Sequence, residues 1–152
     1  MATLSGRQGR VTVGSGVNEV VVAEMGTWKL NIEASEIDTT SFGSEWGKSD
    51  VGMLKFSGSM GGFCDPTDTT GQKVIEDAQI SGNLIQDIKF YVSWSDTPGE
   101  TVYYYAPDTA TDATAGMRVT SYGVGQDKGG VATAEISLSG SGPVKRFSAV
   151  VV

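Results

Sequence analysis

Histidine is absent from the 152-residue sequence, and cysteine occurs once, at Cys64. The missing imidazoles remove Ser-His-Asp and Cys-His nucleophilic systems, His-ligated metals and imidazole general bases together. A single thiol excludes an internal disulfide and a thiolate zinc cluster. Proline is scarce, at four residues, so the segments between turns are free to pair as strands. Positive charge is also in deficit. Eleven Lys and Arg face eighteen Asp and Glu, a net charge of −7, which argues against tight nucleic-acid binding by phosphate neutralisation. The first residues, Met1 to Arg7, carry no apolar signal core, and no run approaches membrane-spanning length. The expectation is a chain made in a reducing cytoplasm, with no membrane insertion of its own.

What the chain has is glycine, 21 residues of it, spaced as punctuation between alternating segments. Thr27 to Ala34 places Trp28, Leu30, Ile32 and Ala34 on one face and Lys29, Asn31 and Glu33 on the other. Glu36 to Phe42 reads as a second extended piece. Val51 to Ser59 sets Met53 and Lys55 against Leu54, Phe56 and Gly58. In Ile85 to Trp94, the residues Phe90, Val92 and Trp94 oppose Lys89, Tyr91 and Ser93, which assigns Trp94, like Trp28, to the core. Pro98-Gly99 predicts a type II turn, with Thr101 to Tyr105 returning as the hairpin partner. Met117 to Val124 and Val131 to Ser139 flank a Gly-rich turn and predict another hairpin.

One segment, about residues 69–81, reads as a helix. Thr69 is placed to cap it with Gln72 three residues on; Val74, Ile75 and Ala78 form its apolar stripe, and Gly82 stops it. The fold expected is mainly β: an antiparallel sandwich or barrel with one flanking helix and extended terminal arms. Residues 1–26 are read as an N-terminal arm with the first strands, 27–142 as the main sandwich and 143–152 as a C-terminal arm, in one domain overall. The uncharged end Phe147, Ser148, Ala149, Val150, Val151, Val152 needs cover, either as an edge strand of its own domain or as an arm on a neighbour's sheet.

Chemical motifs fail on spacing. Gly43 to Ser49 is one residue short of a phosphate-binding loop and no helix follows it. Asp38-Thr39-Thr40 and Asp68-Thr69-Thr70 lack the glycine of an aspartic-protease dyad. Asp65 with Asp68, and Asp108 with Asp112, lack the pattern of a calcium loop. Hence no catalytic residue, no metal site and no cofactor is assigned. Trp46, in a loop with no core face, reads as an interface anchor.

Taken in order, Trp28-Lys29-Leu30, Glu36 to Gly43, Gly52 with Leu54 to Ser59, Gly61 to Asp65, and Gly129 to Gly140 resemble the major tail tube proteins of long-tailed bacteriophages. The resemblance spans roughly 27–142. It implies a sandwich with one helix, hexameric rings stacked into a tube, and a lumen that conducts double-stranded DNA into the host. It also implies partners beyond copies of itself: tape-measure, tail-tip and tail-terminator proteins. The protein would sit in the virion tail, assembled in the host cytoplasm. On this reading the loop from Asp38 to Asp50, with Asp38, Thr39, Thr40, Phe42, Trp46 and Lys48, reaches the next ring. Phe147, Val150, Val151 and Val152 form the C-terminal arm, and Asn31, Glu33, Thr133 and Glu135 face the lumen. The net charge would make that lumen acidic and repellent to phosphates. Two alternatives stay open: the tube of a contractile tail or secretion system, and a carbohydrate-binding sandwich using Trp46 and Tyr103 to Tyr105.

Overall fold

The computed structural model describes residues 9–14, 19–22, 25–43, 45–64, 66–126 and 128–151. Alternation of apolar and polar residues produces, among the described residues, nine strands and one helix. They are β1 (Arg10–Val13), β2 (Val20–Val21), β3 (Met25–Asp38), β4 (Ser49–Phe63), α1 (Gln72–Ser81), β5 (Lys89–Ser93), β6 (Thr101–Pro107), β7 (Gly116–Gly125), β8 (Thr133–Ser141) and β9 (Val144–Val150). Two antiparallel sheets result, one of five strands in the order β2-β1-β5-β6-β9 and one of four in the order β3-β4-β8-β7. Neither closes on itself, so the sandwich alternative of the expected fold is the one adopted.

The core lies between the sheets. Phe56 and Met60 of β4, Met117 and Val119 of β7, and Ile136 and Leu138 of β8 meet Val11, Val13, Ile88 and Phe90 from the opposite layer. Burying each such side chain contributes about 1.5–3 kcal/mol. Trp28 packs on Phe90 with ring centroids 5.5 Å apart. The N-terminal segment supplies Val11, Val13 and Val22 to this core, so its strands belong to the sandwich. The same holds at the other end. Of the two readings of 143–152, the edge strand is observed: β9 pairs with β6 from Thr101↔Val150 to Pro107↔Val144.

The helix begins at Gln72, later than expected, with Gly71 at the N-cap position, and the side chain that meets its first N–H groups is Asp68 rather than Thr69. The Asp68 carboxylate accepts the Gly71 and Gln72 N–H groups, both at 3.0 Å. Gln72 is buried and turns away from the cap, donating from Nε2 to the Phe63 carbonyl at 2.9 Å. Gly82 ends the helix in the left-handed region at φ 75°, its N–H reaching the Ala78 and Gln79 carbonyls. Ile75 is buried, whereas Val74 stays partly exposed.

Trp94 departs from expectation. A bulge between Tyr91 and Ser93 inserts Val92 without a partner on β6 and reverses the faces of the residues beyond it. Trp94 therefore joins Tyr91 on the outer face, edge to face at 4.8 Å, with the Arg10 guanidinium 4.9 Å from its ring centroid.

Candidate functional site

Three features of the surface are built by the four-stranded sheet. The first is its outer face. Rungs of paired residues place Thr27, Gly61, Glu135 and Gly123 side by side, then Lys29, Ser59 and Ser137, then Asn31, Ser57, Ser139 and Arg118. Glu33 pairs with Lys55 one rung further, their charged groups 3.9 Å apart, and Thr133 pairs with Phe63 at the opposite end. The four residues expected to line a lumen thus lie on one hydroxyl- and glycine-rich face. Its charge is not acidic, however. Lys29, Lys55 and Arg118 outnumber Glu33 and Glu135 there. The acidic excess sits on the helix and in loops, at residues such as Glu76, Asp77, Asp87, Asp96 and Glu100. Lys89 is no part of this face; it belongs to the other sheet and pairs with Glu19 at 2.8 Å.

The second feature is a pair of sheet edges. No strand of the described residues pairs with β3 on its outer side, along all 14 of its residues. The β7 edge is partly closed, because Met117 exchanges both backbone hydrogen bonds with Ile85, at 2.7 and 2.9 Å. Beyond Met117 no strand of the described residues pairs with β7 on its outer side, although α1 packs against this strand and Arg118 reaches the Gly82 carbonyl at the helix end. Unpaired strand edges of this length are templates for pairing with another chain.

The third feature is the β3–β4 hairpin. Its ladder runs on to Asp38↔Ser49, so Glu36 to Asp38 continue one strand through a bulge near Ala34 rather than starting a second. From Ile32 outward the hairpin leaves the core. Ile32 is 57% exposed and Leu54 66%, although both lie on the core-facing side. A groove of about 330 Å³ opens beneath them, lined by Ile32, Leu54, Phe56, Gly142, Pro143 and Val144 with Lys55 at its side. At the tip, the Thr39 N–H donates to the Lys48 carbonyl at 2.9 Å and the Lys48 N–H to Thr40 Oγ1 at 2.8 Å. Asp38 accepts the Thr40 N–H at 2.9 Å, and this bond holds its carboxyl below the usual carboxylate range. Asp38, Thr39, Thr40 and Lys48 therefore act as a clasp that closes the loop. Phe42 and Trp46, the latter 82% exposed, are left standing in solvent.

The C-terminal residues divide. Phe147 stacks on Tyr104 at 5.5 Å, and Val151 bonds through its backbone to Gly99 and Glu100. Val150 is exposed, and Val152 lies outside the described residues. Sequence reasoning missed the groove, because Gly142, Pro143 and Val144 meet Ile32 and Leu54 only through the long-range sheet arrangement. No group of three or more metal-ligating side chains occurs among the described residues.

No protein-family model and no characterised protein matches this sequence. Solved structures do match its fold. A chain of the virion of a native gene transfer agent particle superposes with a TM-score of 0.69 at 16% identity, covering 95% of this chain and 99% of that one. A chain from the tail of an empty gene transfer agent particle, refined with helical C6 symmetry, gives 0.71 at 15% identity over the same shares. A chain of the sheath–tube complex of an extracellular contractile injection system gives 0.56 at 14%, covering 93% of this chain and 88% of that one. Over nearly its whole length, then, this chain has the fold of subunits found in phage-like tail and injection assemblies.

Proposed function

We propose that this chain is the structural subunit of a bacteriophage-type tail tube, closing into hexameric rings that stack and conduct double-stranded DNA. The observation that carries the reading is the four-stranded sheet whose end strands are β3, with no partner strand on its outer side, and β7, bridged on its outer side by Ile85 alone among the described residues. Because its strands alternate in direction and are even in number, β7 of one copy and β3 of the next are antiparallel when both copies have the same orientation. Head-to-tail pairing by rotation then closes a ring and removes the edges. The C6 symmetry of the gene transfer agent tail supports the six-fold closure.

In such a ring the polar outer face becomes the lumen wall. A wall of serine, threonine and glycine, with Lys55 set against Glu33 and with Lys29 and Arg118 offset in part by Glu135, offers phosphates little net positive charge to grip. On this reading DNA slides because the wall carries little net charge, not because it is acidic. Tape-measure, tail-tip and terminator proteins are the partners such a tube needs, and the virion tail is its location. The role is structural and not enzymatic, in keeping with the tail assemblies that share the fold.

The carbohydrate-binding alternative loses its platform. Trp46 stands at the tip of the β3–β4 hairpin, whereas Tyr103, Tyr104 and Tyr105 belong to β6 in the other sheet. Negative-stain electron microscopy of concentrated protein tests the proposal. Rings or hollow tubes are expected; monomers at every concentration and salt, even with a tail-tip initiator, would refute it.

A further inference from the structure

The apolar tip and the apolar groove are both unfilled, and the hairpin keeps them apart. The ladder between Ile32↔Phe56 and Asp38↔Ser49 advances six residues, about 20 Å at ~3.3 Å per residue. The clasp at Thr40 and Lys48 fixes the loop beyond it, so Trp46 has no route back to the groove of its own chain. Their charges are complementary. Around the tip, Glu36, Asp38, Glu45 and Asp50 outnumber Lys48, whereas Lys55 at the side of the groove is already set against Glu33 and Arg146 is the cation that follows its lining residue Val144. Arg146 lies two residues beyond Val144 on the same face of β9.

We infer that the groove lined by Ile32, Leu54, Phe56, Pro143 and Val144 receives the Trp46 tip of a second copy, with Glu45 meeting Arg146. The inference rests on the tube reading and adds the receptacle for the hairpin. Plug and socket occupy different surfaces of the molecule, so the contact is heterologous and repeats without closing when copies are displaced along an axis. It therefore joins ring to ring, while the β3 and β7 edges join copies within a ring. A large aromatic entering an apolar groove, flanked by a charge pair, has the composition of an interface hot spot.

Disulfide trapping tests this. In a Cys64→Ser background, copies carrying Glu45→Cys are mixed with copies carrying Leu54→Cys, assembled, oxidised and mapped by peptide mass spectrometry; Ile80→Cys on the helix replaces Leu54→Cys as control. Both test positions are exposed, so folding is preserved. A 45–54 cross-link at least tenfold above the control is expected. Tubes without that cross-link would overturn the groove assignment and leave the tube reading standing. Parent protein that stays monomeric at every concentration and salt, even with a tail-tip initiator, would overturn both. As a second readout, Glu45→Arg should shorten tubes several-fold and added Arg146→Glu should restore them. Tubes that assemble without restoration would refute the Glu45–Arg146 contact.

Discussion

Gly140 of β8 lies directly against the ring of Phe56 on β4, so closely that a Cβ at Gly140 would overlap the aromatic carbons. Phe56 is buried, and its ring forms the floor of the groove at the root of the hairpin. The missing side chain at 140 is thus the space that the ring occupies. Gly140→Ala is expected to destabilise the fold by about 1–3 kcal/mol through overpacking. Urea denaturation at neutral pH measures this, and an unchanged midpoint would mean that the ring moves aside freely.

The helix cap separates two neighbouring residues. Asp68→Ala removes the acceptor of two backbone N–H groups and should cost about 1 kcal/mol. Thr69→Ala should stay within about 0.5 kcal/mol of the parent. Thermal melts of both variants decide it; equal losses would return the cap to Thr69.

Tyr91 makes the fold sensitive to alkali. Burial, and then the Glu19 carboxylate beside its hydroxyl, push the Tyr91 phenol well above its ordinary value of 10.0. The folded state thus favours the neutral phenol. Its contribution is complete below about pH 10 and is lost as pH rises further through the folded value. Denaturation midpoints between pH 8 and 12 should fall for the parent and fall less steeply for Tyr91→Phe. Tyr122, also raised by burial, leaves part of the slope in place. Parallel slopes for parent and variant would remove Tyr91 from the account.

Removing residues 146–152 should damage the fold itself. That deletion takes most of β9 from its ladder with β6 and unstacks Phe147 from Tyr104. A loss of more than about 2 kcal/mol in denaturant is expected. A truncated protein as stable as the parent would show that this segment acts as a dispensable arm after all.

These cases mark what the alternation of residues can and cannot carry. Ala134, Ile136 and Leu138 against Thr133, Glu135 and Ser137 identify β8 and both its faces, because a strand half buried in a sandwich writes its period directly into the chain. The same rule misplaces Trp94, since one bulged residue inverts the faces after it and Val92 carries no mark of being bulged. It also cannot separate Leu30, which touches the core, from Ile32, which does not. Burial by one's own fold and burial by a neighbour demand the same apolar side chain. That Trp46 stands outside the core was legible because a tryptophan among glycine, serine and charge has no local use. The groove was not, since it is assembled from strands far apart in sequence.

The lumen assignment predicts a pattern of chemical access. Asn31 and Glu135 lie on the outer face of the four-stranded sheet, exposed in the single chain. In a Cys64→Ser background, Asn31→Cys and Glu135→Cys should react with both small and polymer-linked maleimides before assembly. In tubes the small reagent should still enter, while a polymer-linked one of several kilodaltons should be excluded, slowing labelling at least tenfold. Ile80→Cys supplies the exposed comparison on the helix. If labelling at 31 and 135 stays rapid with the large reagent in intact tubes, the polar face points outward and the DNA path must be lined by another surface. If both reagents are blocked, the face is buried between copies instead of bordering a channel. Only size-selective access places this hydroxyl-rich wall around the lumen, because only a narrow water-filled bore separates reagents by size alone.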